Sequence, residues 1–88
     1  MRLEWDEAKR AASLAKHGID FSLAEQFDFE GARIGPDARR DYGEPRFIAL
    51  GLIGTRCFVL IFTMRGETVR VISLRKANAR EIKSYGQT

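Results

Sequence analysis

Leu3 and Trp5 alternate with charged neighbours, the period-two pattern of a short strand. Asp6 then stands where a helix N-cap belongs, and Glu7 falls in the first turn, where a negative charge meets the positive end of the helix dipole. Ala8, Ala11, Ala12 and Ala15 recur at helical spacing, and Leu14 widens the apolar stripe. Gly18 follows His17 as a residue that enters the left-handed region cheaply, so the pattern predicts a helix over residues 7–17. Ser22-Leu23-Ala24-Glu25 has capping-box spacing and predicts a second short helix, with Phe21, Ala24 and Phe27 as its apolar face.

The pattern weakens from Gly31 to Pro45. Gly35-Pro36-Asp37 and Tyr42-Gly43-Glu44-Pro45 read as turns, with room for a strand at residues 32–35. Three strands follow, at 46–52, 56–64 and 68–74, separated by turns at Gly54 and at Arg65-Gly66. The middle strand is apolar on both faces and should run through the centre of a sheet covered on both sides. Strict alternation on the last strand sets Thr68, Arg70, Ile72 and Leu74 on one face and Val69, Val71, Ser73 and Arg75 on the other. Asn78 with Glu81 opens a terminal helix that ends near Tyr85. A strand, two helices, a strand meander and a last helix predict an α+β fold with an antiparallel sheet.

Eighty-eight residues correspond to one domain, 1–88, with an expected stability of about 4–13 kcal/mol. That size excludes a multi-step enzyme carrying its own nucleotide-binding domain. Cys57 is the single cysteine and His17 the single histidine, so neither a disulfide framework nor a tetrahedral zinc set is available. Gly51-Leu52-Ile53-Gly54 is a hairpin and not a phosphate-binding loop, and no cofactor is called for. The longest apolar run, Cys57 to Phe62, is strand-length, and the first residues lack the apolar core of a signal peptide. The expectation is a cytoplasmic protein.

Charge changes this picture. Fifteen Lys and Arg face twelve Asp and Glu, a net of +3. Residues 1–44 carry seven basic and ten acidic side chains, whereas residues 45–88 carry eight basic and two acidic. A basic half on so small a chain points to a polyanion or an acidic partner. Arg70 lies mid-strand among apolar neighbours, where a guanidinium fork is suited to gripping phosphate oxygens in pairs. Arg75 and Lys76 end that strand, and Arg46, Arg56 and Arg65 lie near strand ends, where a sheet presents loops to ligands. Lys16 and His17 close the first helix, where cations suit the dipole; an imidazole also titrates near neutrality and can transfer protons. Cys57, Met64 and Trp5 read as core residues.

These residues together resemble a known family. Trp5-Asp6, Lys9, Lys16-His17-Gly18-Ile19, Phe21 and Ala24 resemble the opening of the BrnT toxins of type II toxin–antitoxin modules. Gly43-Glu44-Pro45-Arg46 and Gly51 are similar to its middle. Thr63, Arg65-Gly66, Arg70-Val71-Ile72-Ser73-Leu74-Arg75-Lys76-Ala77-Asn78, Glu81 and Tyr85 are similar to its ending. Ser13 stands where the family commonly has Asn, and Leu74 where it commonly has Ala. The resemblance implies a RelE-like fold, a small antiparallel sheet packed against two N-terminal helices with a short C-terminal helix. It implies a ribonuclease that arrests translation. It also implies a BrnA-like antitoxin, a ribbon-helix-helix DNA-binding protein through which operator DNA is reached, and a complex with two toxins bridged by an antitoxin dimer. No membrane partner is expected.

RNA cleavage without a metal needs a base to take the 2′-hydroxyl proton, an acid for the leaving 5′-oxygen, and cations for the charge that builds on phosphorus. Arg70 and Arg75 are the expected catalytic cations, with Arg46, Arg65 and Lys76 binding RNA. Glu44 or His17 is the base, and Lys16 or His17 the acid. Two other readings stay open on the residues alone: a non-catalytic nucleic-acid-binding module, and a module whose basic face meets an acidic peptide.

Overall fold

The computed structural model describes residues 2–39 and 41–86. In chain order it contains β1 (Arg2–Trp5), α1 (Glu7–His17), a 3₁₀ helix (Phe21–Gln26), β2 (Arg33–Pro36), β3 (Phe47–Ile53), β4 (Arg56–Arg65), β5 (Thr68–Lys76) and α2 (Ala79–Tyr85). The five strands form one sheet in the order β1-β5-β4-β3-β2. The α+β class expected from the pattern holds, but the sheet is mixed and not purely antiparallel. β2 to β5 pair antiparallel, whereas β1 lies parallel to β5, with Leu3 opposite Val69 and Trp5 opposite Val71. A tight turn forces its two strands to be antiparallel; β1 meets β5 only after the whole intervening chain, and no turn constrains it. Among the described residues no helix is long and apolar enough to cross a membrane.

α1 has the expected bounds. The Asp6 carboxylate accepts from the N–H groups of Ala8 and Lys9 at 2.9 and 3.2 Å, and Gly18, at φ 70°, donates to the Leu14 carbonyl. Its alanine stripe is nevertheless not buried: no residue of α1 is, and Leu14 is 39% exposed. Methyl groups cover little area, so α1 leans on the sheet without sinking into it. The second helix is a 3₁₀ helix, leaving α1 as the one N-terminal α-helix. Its cap is Asp20, which accepts from the Ser22 N–H at 3.0 Å, and not Ser22. Phe21, Ala24 and Phe27 are spaced by three, the period of a 3₁₀ helix, and all three are buried.

With Ile19, these three residues cover one face of the sheet, packing on Leu60 and Phe62 of β4 and on Val69, Val71 and Leu74 of β5. Phe29 closes this layer, edge-on to Phe27 at 4.9 Å and to Phe62 at 5.8 Å between ring centres. Trp5 is half-buried, edge-on to Phe21. β4 is the central strand, as expected, and is buried on both faces: Phe58, Leu60 and Phe62 on the core side, Cys57, Val59, Ile61 and Thr63 on the other. Met64 departs from the expectation of a core residue: it is 44% exposed, where β4 runs out beyond the covering layer toward the turn at Gly66.

Candidate nucleic-acid interface

A β-bulge builds the site. Ile61 of β4 pairs with Ser73 and Phe62 pairs with Val71, so Ile72 is an extra residue on β5. The alternation expected along this strand therefore breaks. Val69, Val71 and Leu74 all enter the core. Arg70 lies opposite Thr63 and Arg75 opposite Val59, and both now share the face turned away from α1. Strict alternation had separated these two arginines.

Several arginines of this face are met by carboxylates. Arg70 lies 3.8 Å from Glu4 of β1, its neighbour in register. Glu44 sits between Arg46 at 3.4 Å and Arg65 at 3.5 Å. The Arg46 guanidinium stacks over the Tyr42 ring, 4.1 Å from its centre. The segment carrying Glu44 is pinned by Thr63, whose buried hydroxyl donates to the Pro45 carbonyl. Arg39 forks onto Asp37 with two contacts of 2.8 Å. These hydrogen bonds outweigh the cost of burial and hold the Asp37 carboxyl down at about 2.

Arg75 makes a second such fork. Its two terminal nitrogens donate to the two oxygens of Glu81, each at 2.8 Å, the geometry of a bidentate fork. Glu81 also accepts from the Asn78 N–H at 2.8 Å, completing the capping box that opens α2. Chiefly through the Arg75 hydrogen bonds, and against burial, the Glu81 carboxyl is lowered to about 2. The same bonds raise Arg75, and the positive charge of Arg39 opposes that rise. Burial pushes the Cys57 thiol up, with Glu81 adding to it.

Lys16 and His17 stand apart from this network. They are exposed at the end of α1 and line a groove of about 230 Å³ with Lys9, Ala12, Ser13, Phe21, Ile72 and Ser73. Among the described residues, no hydrogen bond or ion pair joins either of them to the arginine face. The groove meets β5 at the bulge, at Ile72 and Ser73, between Arg70 and Arg75 in the chain. Lys76 pairs with Phe58, whose side chain lies in the core layer, so it points from the strand end toward the other face from Arg75. Arg56 is exposed at the start of β4. Among the described residues no three His, Cys, Asp or Glu side chains gather as a metal-ligating group.

Residues 5–81 match the family model described as ribonuclease toxin, BrnT, of type II toxin–antitoxin system. The chain belongs to the BrnT family. No curated protein matches it. The BrnT match begins at Trp5 and ends at Glu81, so it includes the bulge, both β5 arginines and the carboxylate that holds Arg75. BrnT proteins are ribonuclease toxins, and a type II system pairs its toxin with a protein antitoxin. Sequence reasoning brought Glu44, Arg46, Arg65, Arg70 and Arg75 into the site. It missed Arg39 and Asp37, which lie in the stretch without periodicity. It missed the second role of Glu81 as well: a capping box accounts for that residue completely, and nothing in the spacing announces an ion pair six residues back.

Proposed function

We propose that the chain is a metal-independent endoribonuclease with a RelE-like architecture, which arrests translation and is neutralised by a BrnA-like antitoxin. The observation that carries this reading is the bulge at Ile72, which sets Arg70 and Arg75 on one face of the sheet. A phosphodiester laid along β5 meets one guanidinium on each side of the bulge. Both can donate to non-bridging oxygens as the phosphorane forms.

On this reading Glu44, the carboxylate between Arg46 and Arg65, takes the proton of the 2′-hydroxyl. The 2′-oxygen attacks phosphorus, the bond to the 5′-oxygen breaks, and that oxygen takes a proton from His17 or Lys16. The α1 groove touches β5 at Ile72 and Ser73, beyond the end of the β1 pairing, so a donor from α1 would have to reach round this open edge of the sheet. The products are a 2′,3′-cyclic phosphate and a 5′-hydroxyl fragment. Arg46 and Arg65 hold the flanking backbone; Lys76, on the other face of the strand, does not join them. The arginines stay charged throughout and serve to bind and stabilise.

The test is incubation of the protein with end-labelled RNA in EDTA, followed by analysis of fragment ends. The expected result is 2′,3′-cyclic phosphate termini, lost in Arg75→Lys, which keeps the charge and removes the fork. Binding without any cleavage, even when translating ribosomes are supplied, would favour a non-catalytic module.

A further inference from the structure

The contact that occupies Arg75 is also the one that an RNA phosphate must replace. A carboxylate and a phosphate offer the same paired oxygens to a guanidinium fork. Arg75 already spends its fork on Glu81, at 2.8 Å to each oxygen. We propose that Glu81 is an internal stand-in for the substrate phosphate, and that α2 gates the site by carrying this carboxylate on and off Arg75. The inference rests on the reading of this face as the RNA site.

The attachment of α2 suits a gate. The helix has seven residues and none is buried; Ile82 is 51% exposed. So short a helix is marginal by itself, and only tertiary contacts hold it in place. Besides Arg75–Glu81, two polar links from the β2 side reach it. Arg33 donates to the Ser84 hydroxyl at 2.8 Å and to its carbonyl at 2.9 Å, and the Tyr85 hydroxyl donates to the Gly31 carbonyl. Contacts of this kind exchange with water at little cost, and elements held by them open locally far more readily than a core strand.

Glu81 is therefore a specificity-determining residue. It excludes weak anions from Arg75 and yields to a phosphodiester whose neighbouring phosphates are held at the same time by Arg70 and Arg46. Isolated inorganic phosphate should compete poorly with it; a phosphodiester chain should compete well.

The substitution that separates this role from a structural one is Glu81→Gln. Glutamine is a capping-box residue at this position, so α2 keeps its start while the fork loses its anion. The probe is a fluorescein-labelled 2′-deoxy oligonucleotide, which binds but lacks the attacking hydroxyl, followed by anisotropy at fixed salt. Glu81→Gln should bind it roughly threefold to tenfold more tightly than the parent, the range of one ion pair of intermediate exposure. The gain should vanish when Arg75→Gln is combined with it. Glu67→Gln, which removes an equal charge from the β4–β5 turn, should change affinity by less than the Glu81 variant does. Unchanged or weaker binding by Glu81→Gln with the fold intact by circular dichroism, or an equal gain in the Arg75→Gln background, overturns the gate. A gain in binding while no variant cleaves RNA would leave the gate standing and remove the nuclease reading.

Discussion

Thr63 and Pro45 are joined by a hydrogen bond that spans eighteen residues: the hydroxyl of a buried β4 threonine donates to the carbonyl just before β3. Thr63 is also the partner of Arg70 in register. One buried side chain thus sets the distance between the Glu44–Arg46 segment and the strand that carries Arg70.

Thr63→Val keeps the shape and removes the donor. It should lower stability by about 1–2 kcal/mol, since the Pro45 carbonyl loses its partner. On the proposed reading it should also lower RNA cleavage, although Thr63 itself touches no substrate. Urea denaturation and initial cleavage rates measure the two effects separately. A stable variant with full activity would show that the segment is held by other contacts.

Gly51 is a position where size decides. A Cβ there would lie 2.8 Å from the Phe27 ring and 2.9 Å from the Ala32 Cβ. Gly51→Ala should cost about 1–3 kcal/mol through overpacking, read as a lowered denaturant midpoint with an unchanged slope. Gly35→Ala, where a Cβ meets nothing within 4 Å, is the matched control.

Acid should weaken the arginine face. Asp37 and Glu81 are both held at about 2 in the folded chain, below the roughly 4 of an unfolded carboxyl. Their contribution is complete above about pH 5 and is lost as pH falls toward 2. Thermal melts across that window should show falling stability in the parent and a shallower fall in Glu81→Gln. Identical slopes would mean that the Arg75–Glu81 pair contributes nothing to folding.

His17→Gln tests the proton donor. If His17 serves as the acid, cleavage should fall by about 10²-fold or more, and the alkaline limb of the pH–rate profile should move. The same variant should leave oligonucleotide binding near the parent value. A rate and profile equal to the parent's would reduce His17 to a helix-end residue and leave Lys16 as the donor.

Much of the fold is legible along the chain because its signals are local. The Asp6 and Gly18 caps bound α1, the Asn78 and Glu81 box opens α2, and glycines at positive φ close the β3–β4 and β4–β5 turns. What escaped depends on distant partners. The parallel pairing of β1 comes from a contact across more than sixty residues. The bulge at Ile72 leaves no mark in a sequence of alternating residues; only the register against β4 reveals it, and it reverses the side on which Arg75 emerges. The alanines of α1 had the right period for a buried face and too little bulk to require one. Of the site, Arg46, Arg65, Arg70 and Arg75 could be read in advance; Arg39 could not. The ion pairs they make could not, because Glu4, Glu44 and Glu81 reach them from three separate parts of the chain.

That pairing has a thermodynamic consequence for how the protein would handle polyanions. A free arginine displaces small cations from the atmosphere around a nucleic acid, and affinity then falls steeply with salt, by about 0.7 in log–log slope per phosphate contact on a single strand. Here Arg39, Arg46, Arg65, Arg70 and Arg75 carry tethered counterions of their own. Each carboxylate released by an incoming phosphate takes up a cation from solution and cancels part of that release. RNA binding should therefore depend on salt less than five arginines would suggest. A chain with net charge +3 can then ignore most polyanions and answer to backbone geometry.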